Sequence, residues 1–288
     1  MKLDSKWFIE EAGGFAMSVK IRGKVHEEQT PFQRIEVYDT EEFGYLLTLD
    51  GITMLTSRDN FIYHEMLSHP ALFTHPAPKD VVIVGGGDCG TLKEVLKHVA
   101  VKEATLIELD ERVTRVSEQF FPELCESNSD PRAQFHFGDG IQWMAEAPAE
   151  SVDVIALDTT DPVGQAARLF SAPFYRDCLN VLRGGGIMVA QSESPILDLD
   201  LIKNIRKAMA EAGAEDIMTL NFPQCTYPSG WWTATMARKG ERFSGFREGD
   251  ARQKAFATRY YNAQVHAGSL ALPEFMREAF NEDLLRSV

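Results

Sequence analysis

Two carboxylates stand three residues apart, directly after a short apolar run. Asp158 and Asp161, in the stretch Asp158-Thr159-Thr160-Asp161-Pro162, follow Val154-Ile155-Ala156-Leu157, which has the length and composition of a buried parallel strand. The pair is therefore expected at the carboxyl end of a strand, where open α/β sheets bind their ligands. Two acids at that position can hold a cation, and one of them can take a proton from it. A polar turn, in which Asp and Pro are common, explains the pair equally well.

A second candidate feature is a glycine-rich turn. The strand-like Val81-Val82-Ile83-Val84 is followed by Gly85-Gly86-Gly87-Asp88-Cys89-Gly90 and then by helix formers from Thr91. A strand, a glycine turn and a helix in this order let a nucleotide-bearing ligand approach the backbone closely. A tight turn without a ligand is the alternative.

Two further acidic positions extend this pattern. Glu108 ends the next predicted strand, where such sheets hydrogen-bond a ribose, whereas Asp110 is expected to cap the helix that follows. Asp139, between Gly138 and Gly140, can reach an adenine amino group, although a simple loop turn explains it nearly as well. Since no feature requires a pyrophosphate, the set favours an S-adenosyl compound over a dinucleotide. Asp88 would repel a carboxylate on the ligand's tail and attract an ammonium group, which favours a decarboxylated tail; acids near such loops also occur in ordinary methyltransferases.

The elements that must position these residues fall into two regions. Residues 1–57 read as β hairpins, with strands at 15–21, 33–37 and 45–49 and turns at Gly13-Gly14, Gly23, Glu41-Glu42 and Asp50-Gly51. Residues 58–288 begin with a helix over 58–74, after which strands at 81–84, 104–107, 134–137, 152–157 and 186–190 alternate with helices at 91–98, 112–121 and 173–182. The predicted fold class is α/β: a Rossmann-like, doubly wound, mostly parallel sheet, preceded by a small N-terminal antiparallel β domain.

Composition and charge limit the classes of ligand and partner that the chain is expected to bind. The chain has 288 residues and a formal net charge of -14, which disfavours nucleic acid and anionic membranes and favours cationic small molecules. No apolar stretch reaches the length of a membrane span, and Met1-Lys2-Leu3-Asp4 does not begin a signal peptide. The 4 cysteines are scattered and the 7 histidines lack metal-ligand spacing, so we expect reduced thiols, a cytoplasmic location and no metal site.

Several sequence blocks, in matching order over nearly the whole chain, resemble the polyamine aminopropyltransferases, the spermidine synthase family. The blocks are Leu49-Asp50-Gly51, Tyr63-His64-Glu65-Met66, Gly85-Gly86-Gly87-Asp88, Asp158-Thr159-Thr160-Asp161-Pro162, Thr226-Tyr227-Pro228-Ser229-Gly230, Tyr260-Tyr261-Asn262 and Leu272-Pro273. The resemblance implies an N-terminal β domain used in oligomer contacts, in a homodimer or a dimer of dimers, followed by the catalytic domain. It also implies transfer of an aminopropyl group from decarboxylated S-adenosylmethionine to putrescine, with release of methylthioadenosine.

Each candidate residue has an expected role in this reaction. The sulfonium is already a good leaving group, so neither a metal nor a covalent nucleophile is needed, but the acceptor ammonium, with a pKa near 10.4, must first lose a proton. Asp158, with help from Tyr63, is the candidate base, and Asp161 would fix the same end of the acceptor. The remaining roles follow from the resemblance: Gln33, His64 and Asp88 for the aminopropyl tail, Glu108 for the ribose, Asp139 with Gly140 for the adenine, and Tyr227 and Glu193 for the acceptor.

Some alternatives stay open at this stage. Tyr63 and His64 could serve only to pack their helix, and residues 163–169 could be a closing lid or an ordinary surface loop. Cys89 stands where the family usually carries glycine, and Trp231-Trp232 is bulky, so cadaverine, agmatine or spermidine remain possible acceptors. A methyltransferase and a noncatalytic polyamine sensor are the other functions considered; Asp88 disfavours the first, and the presence of Asp158 with the glycine turn disfavours the second.

Overall fold

The computed structural model describes residues 5–12, 14–161 and 164–285. The N-terminal region forms a five-stranded antiparallel sheet in which each strand pairs with the next along the chain. Its strands are β1 (Trp7–Ala12), β2 (Phe15–Gln29), β3 (Arg34–Thr40), β4 (Tyr45–Leu49) and β5 (Ile52–Thr56). The predicted strands correspond to β2, β3 and β4, whereas β1 and β5 are additions to the predicted set.

Three of the turns predicted in this region contain glycine, and their outcomes differ. Gly13, of the turn predicted at Gly13-Gly14, lies outside the described residues. Asp50 and Gly51, at φ 52° and 85°, join β4 to β5 in the left-handed conformation that tight hairpins require. The turn predicted at Gly23 is wrong, because β2 continues through it and pairs with β3 on both sides. The register shifts between Ile21 and Gly23, so this glycine marks a β-bulge, where a missing side chain is also tolerated.

The second sheet has seven strands and is mostly parallel. Its strands are β6 (Asp80–Gly85), β7 (Glu103–Glu108), β8 (Ala133–Phe137), β9 (Val152–Asp158), β10 (Leu182–Gln191), β11 (Asp216–Pro223) and β12 (Trp231–Arg238). They lie in the order β11-β12-β10-β9-β6-β7-β8. β12 is antiparallel to both of its neighbours, and the pairings among β6 to β10 are parallel. The predicted α/β fold with a Rossmann-like sheet is confirmed.

Helices cover both faces of this sheet. They are α1 (Asn60–Thr74), α2 (Gly90–Leu96), α3 (Glu111–Phe120), α4 (Gly140–Glu146), α5 (Ala172–Val181), α6 (Leu199–Ala212), α7 (Glu248–Arg252), α8 (Ala263–Ser269) and α9 (Glu274–Leu285). The four predicted helices correspond to α1, α2, α3 and α5. Of the segment considered as a lid, Val163 lies outside the described residues, as does Pro162, and the remainder belongs to a 3-10 helix, Gly164–Phe170.

The packing of the core places the N-terminal sheet beside the carboxyl ends of the parallel strands of the large sheet. One buried cluster joins α1 and α2 to one face of the large sheet, and a second joins α5 and α6 to the other face. A third cluster packs Ile35, Val37 and Leu47 of the N-terminal sheet against Val116 and Phe121 at α3. Because α3 follows β7, this contact fixes the small sheet beside the carboxyl ends of the parallel strands. Among the described residues, no helix is long and apolar enough to cross a membrane.

Candidate active site

A cavity lies between the carboxyl ends of β6, β7 and β9 and the N-terminal sheet. Nine of the candidate residues line it: Gln33, Tyr63, Asp88, Glu108, Asp139, Gly140, Asp158, Asp161 and Tyr227. The other two candidates are buried behind this wall. His64 contacts Asp88, and Glu193 interacts with Asp161. The sequence blocks far apart in the chain therefore meet at one site.

Asp158 is the last residue of β9 and receives two hydrogen bonds. The Tyr63 hydroxyl donates to Oδ1 at 2.7 Å, and the Thr91 hydroxyl donates to Oδ2 at 2.6 Å. Burial raises the pKa of Asp158 to about 6, and the negative charge of Asp88 acts in the same direction against the opposing effects of His64 and the two donors. The carboxylate is thus mostly ionised at neutral pH and is a stronger base than an exposed aspartate.

His64 and Asp88 form a buried ion pair beside Asp158. The His64 Nε2 lies 3.1 Å from Asp88 Oδ1, which also accepts a hydrogen bond from the Gly90 amide at 2.7 Å. Burial disfavours both charges, but their attraction outweighs it, so the pKa of Asp88 is lowered and that of His64 is raised. With Asp158, the group holds two carboxylates against one imidazolium, which leaves excess negative charge for a cationic ligand.

The glycine turn is required by this close arrangement. Gly85 and Gly86 have φ values of 80° and 66°, which favour glycine. A Cβ on Gly85 would lie 2.1 Å from the backbone oxygen of Asp158, and one on Gly86 would lie 2.7 Å from its Oδ2. A Cβ on Gly90 would lie 2.2 Å from the His64 ring. The glycines therefore let Asp158 and His64 approach the turn, in addition to any role in ligand approach.

Glu108 and Asp110 occupy the end of β7 in distinct roles. Glu108 accepts the Asp110 amide at 2.8 Å, and burial raises the pKa of its carboxyl to about 7 against the opposing effect of this hydrogen bond. Asp110 caps α3 by accepting the Arg112 amide, as predicted. Asp110 also accepts hydrogen bonds from Thr30 and, at 3.1 Å, from the Gln33 side chain. Gln33 is thereby held at the cavity wall.

Asp139 and Gly140 form the start of α4. Asp139 is exposed and caps the helix by accepting the Ile141 amide at 2.8 Å. A Cβ on Gly140 would lie 2.6 Å from Val84 Cγ1, so glycine allows α4 to begin directly against β6. Both residues line the cavity at the edge where Glu108 lies.

Several carboxylates meet at the opposite end of the cavity. Burial raises the pKa of Asp161, and burial together with the charge of Asp161 raises the pKa of Glu193 well above its usual range. Glu193 accepts the Gln191 side chain at 3.0 Å. Glu10 of β1 also lines the cavity; burial raises its pKa, with a smaller contribution from Asp161. One basic residue, the exposed Arg168, lines the same cavity.

Tyr227 lines the cavity, and its hydroxyl is hydrogen-bonded to the N-terminal sheet. The hydroxyl donates to the Met54 backbone oxygen at 2.6 Å, and the ring centroid lies 5.7 Å from that of Tyr63 and 4.6 Å from that of Trp232. The preceding Thr226 is held by hydrogen bonds to the buried Asp59. Together the three rings form an aromatic wall next to Asp158.

Sequence reasoning missed four residues that shape the site. Glu10 and Gln191 line the cavity, while Thr91 and Asp59 hold Asp158 and the Tyr227 segment. None of them stands in a spacing pattern with the predicted residues. Glu10, Thr91 and Asp59 bond to partners 43 to 167 positions away, whereas Gln191 donates to Glu193, two residues further on.

A small cationic group is the ligand that these side chains suit best. The ligand atoms of His64, Asp88 and Asp158 lie within 4.8 Å of one another, a spacing that could also hold a metal ion. The pairing of His64 with Asp88 uses one of these donors internally. An organic cation, bearing ammonium or sulfonium, would meet the remaining charge without displacing that pair.

Two family sequence models match the chain, one after the other. The Spermidine synthase tetramerisation domain matches residues 6–57, and the Spermine/spermidine synthase domain matches residues 60–244. Curated relatives carry a consistent name. Proteins of Nitrosococcus oceani and Methylococcus capsulatus, both named polyamine aminopropyltransferase, are each 58% identical over 281 and 278 residues, covering 96% of this chain and 98% and 97% of theirs.

Solved structures of spermidine synthases are similar to this chain over nearly its whole length. A spermidine synthase in complex with the transition-state analogue AdoDATO superposes with a TM-score of 0.92 at 34% identity, covering 98% of this chain and 97% of that one. The spermidine synthase of Thermotoga maritima superposes with a TM-score of 0.90, also at 34% identity, covering 96% and 94%.

Proposed function

The chain belongs to the spermine/spermidine synthase family and is an aminopropyltransferase of polyamine biosynthesis, and we propose that its donor is decarboxylated S-adenosylmethionine and its acceptor putrescine. The products are then spermidine and 5'-methylthioadenosine. The observation that carries this proposal is the buried group of His64, Asp88 and Asp158, with its excess negative charge on the cavity wall. It suits a donor whose tail carries a sulfonium and an ammonium group but no carboxylate.

We assign the donor to the half of the cavity between the glycine turn and α4. Glu108 takes the ribose hydroxyls, and Asp139 with Gly140 takes the adenine. Asp88 takes the tail ammonium, and Gln33 borders the same space. His64 acts through Asp88, because it lies behind that carboxylate and keeps it ionised.

Asp158 is the base in this proposal, and Tyr63 holds it. The acceptor ammonium gives a proton to Asp158, and the freed nitrogen lone pair attacks the aminopropyl carbon bonded to sulfur. A carbon–nitrogen bond forms, the carbon–sulfur bond breaks, and its electron pair stays on sulfur as the neutral thioether. Binding both reactants in one cavity makes the step effectively unimolecular, which can supply much of the rate.

The acidic end of the cavity supports a diamine acceptor. Burial raises the pKa of Asp161, and burial together with the charge of Asp161 raises that of Glu193; an ammonium group between them would favour the ionised form of both carboxyls. Tyr227 and Trp232 provide an apolar surface for the methylene chain. Putrescine, a short chain with a cationic group at each end, combines both properties.

We also propose the division of the chain and its assembly. Residues 1–57 would form an oligomerisation domain and residues 58–288 the catalytic domain, in a homodimer or a dimer of dimers. The match to a tetramerisation domain supports association of several copies. Glu10, Gln33 and Met54 also line the cavity, so the N-terminal sheet would serve the active site as well as assembly. The cytoplasmic location stays a prediction.

Donor binding tests the proposal through Asp88. We expect decarboxylated S-adenosylmethionine to bind at least about 10-fold more tightly than S-adenosylmethionine, because a tail carboxylate would face Asp88. Asp88→Asn should reduce this ratio toward one, whereas Asp139→Asn should weaken both ligands alike. Calorimetric titration without acceptor measures the six affinities, two ligands for each of the three proteins. Tighter binding of S-adenosylmethionine to the unmodified chain would favour a methyl donor instead.

A further inference from the structure

We propose that Thr91 is a positioning residue for the base: its hydroxyl fixes the orientation of the Asp158 carboxylate and stabilises its anionic form. This inference rests on the proposed role of Asp158. Thr91 is the second residue of α2, which begins at Gly90 of the glycine turn, and its side chain is fully buried. It stands outside the cavity wall, so it acts on the reaction only through Asp158.

The geometry is that of a charge-assisted hydrogen bond. Thr91 Oγ1 lies 2.6 Å from Asp158 Oδ2, within the range for a hydroxyl that donates to a carboxylate. Tyr63 donates to the other oxygen, Oδ1, at 2.7 Å. With one donor on each oxygen, the carboxylate cannot rotate without losing both bonds, and each oxygen keeps a lone pair for an incoming ammonium.

The choice of threonine follows from its shape. A β-branched side chain on a helix has few accessible χ1 rotamers. The Thr91 hydroxyl therefore loses little rotamer freedom when it bonds to Asp158. Asp158 leaves little room for a larger donor, since Gly86 already lies against its carboxylate. Valine has nearly the same shape without the donor, and serine has the donor without the methyl group.

The other charged and titratable groups around Asp158 make this donor consequential. Asp88 in the glycine turn opposes ionisation of Asp158, and burial opposes it more strongly. His64 on α1 favours ionisation but is shared with Asp88, and the buried hydroxyls of Tyr63 and Tyr227 remain protonated because burial and Asp158 raise their pKa values. The Thr91 hydroxyl does not titrate, so it favours the ionised form of Asp158 without any protonation change of its own.

The test is the pH dependence of turnover in Thr91→Val and Thr91→Ser. We expect Thr91→Val to move the acid limb of kcat/KM upward by about one pH unit, the size expected for a lost hydrogen bond to a charged group. At pH 6, kcat/KM should then fall about fivefold relative to the unmodified chain. Affinity for the donor, measured without acceptor, should change by less than about twofold because Thr91 touches no ligand. Thr91→Ser should keep the acid limb of the unmodified chain.

The controls separate this inference from the proposed function. An unshifted acid limb in Thr91→Val, or an equal shift in Thr91→Ser, would refute the role of the hydroxyl. If Thr91→Val does not fold, Thr91→Ala replaces it with the same expectations. Asp158→Asn is measured alongside: if that variant turns over normally, Asp158 is not the base and both ideas fall. If it is inactive while Thr91→Val keeps its profile, only the inference about Thr91 fails.

Discussion

At the scale of single residues, the site separates carboxylates of one chemical type into different roles. Asp88, paired with His64, has a lowered pKa and stays charged. Asp158, buried beside Asp88, has its pKa raised to about 6, and burial raises that of Glu108 to about 7. Environments that push the pKa values of neighbouring groups apart are typical of acid–base sites. This separation of pKa values supports the proposed roles of Asp88 in cation binding and of Asp158 as the base.

Replacing the base should remove turnover and spare donor binding. We expect Asp158→Asn to lower kcat by at least about 10²-fold, the lower end of the effect of general acid–base catalysis. Donor affinity should stay within a few fold, because the amide keeps the volume of the carboxylate; its oxygen still accepts one of the two hydroxyls of Tyr63 and Thr91, and its NH2 group can donate to the other. Steady-state kinetics and calorimetry measure the two effects. Normal turnover in Asp158→Asn would remove this residue from the mechanism.

The unmodified chain should show an acid limb in kcat/KM near pH 6. Below the pKa of about 6 the Asp158 carboxylate is protonated and cannot accept a proton, so kcat/KM should fall about tenfold per pH unit there. Since kcat/KM reports the free enzyme, the limb reflects the site before the amine binds. An acid limb near pH 4, as for an exposed aspartate, would contradict the buried environment of Asp158.

The sequence predicts some of these residues and not others for a physical reason. Asp158, Glu108 and the glycine turn follow strands directly, so local pattern is enough to place them at the strand ends. Thr91 and Glu10 gain their roles from partners 67 and 43 positions away, a relation that no local pattern contains. Likewise the like charge that raises the pKa of Asp158 comes from Asp88, 70 positions away in the chain.

At the scale of secondary structure, α1 connects the site to the rest of the molecule. Its side chains include Tyr63 and His64 at the cavity, and Glu65, which accepts the backbone amides of residues 259–261. One turn further, His69 contacts both Glu94 and His98, at 3.1 and 3.0 Å. The buried histidines tie α1 to α2, the helix that carries Thr91.

This buried pair should make the fold acid-sensitive. Burial lowers the pKa of His69, and burial with the charge of His69 lowers that of His98 to about 2. Both are therefore neutral in the folded chain but take up protons below about pH 6.5 when unfolded. Stability from keeping them neutral is fully present above pH 6.5 and is lost as the pH falls below it.

The variant His98→Gln isolates this effect. Between pH 7.5 and 5.5 the unmodified chain should lose about 1.4 kcal/mol of unfolding free energy through His98 alone. Because neutral His69 donates through Nε2 to the Glu94 carboxylate, its Nδ1 accepts from His98; His98→Gln keeps a donor for Nδ1 but cannot titrate, so its loss should be smaller by that amount. Denaturant unfolding at the two pH values measures it, with the exposed His136→Gln as the control. If His98→Gln and the unmodified chain lose the same unfolding free energy, then His98 has the same protonation state in the folded and the unfolded chain, which would contradict this account.

The secondary-structure predictions failed where the sequence signal is ambiguous. The predicted strand at 186–190 is the carboxyl end of β10, which begins at Leu182, so the helix predicted to reach Leu182 ends one residue early, at Val181. The long β11 and β12 are antiparallel and add an edge to a parallel sheet, an addition that alternating strand–helix order does not predict. Helices α4 and α7 have seven and five residues, too short for a clear hydrophobic period.

At the scale of the whole molecule, the N-terminal sheet combines two surfaces. One packs on α3 and borders the cavity, whereas apolar side chains remain exposed elsewhere on it. Ile9, Phe15 and Val25 are 41%, 42% and 46% exposed. These exposed apolar side chains lie at separate positions of one sheet and agree with the match of this region to a tetramerisation domain.

Charging this surface should disrupt assembly. We expect Val25→Asp to lower the solution mass to that of a smaller assembly, because burying a carboxylate in an apolar interface costs several kcal/mol. Val99→Asp, at an 84% exposed position outside the N-terminal sheet, is the matched control and should keep the unmodified mass. Light scattering coupled to size exclusion measures both. An unchanged mass for Val25→Asp would place the interface elsewhere.

The net charge of -14 acts on the whole molecule as well. It favours the approach of cationic reactants at low ionic strength and is screened by salt. The reaction proposed here has a cationic donor and a cationic acceptor, both of which enter a cavity whose walls carry buried carboxylates. Charge at the molecular scale and charge at the residue scale thus favour the same ligands.

One measurement tests the central claim most directly: the purified chain is incubated with decarboxylated S-adenosylmethionine and, separately, with putrescine, cadaverine, agmatine or spermidine. Release of methylthioadenosine is followed, and the amine product is identified by mass. We predict the fastest release with putrescine and a product with the mass of spermidine. Faster release with another amine would contradict putrescine as the acceptor, and no release with any amine, despite tight donor binding, would contradict the proposed reaction itself.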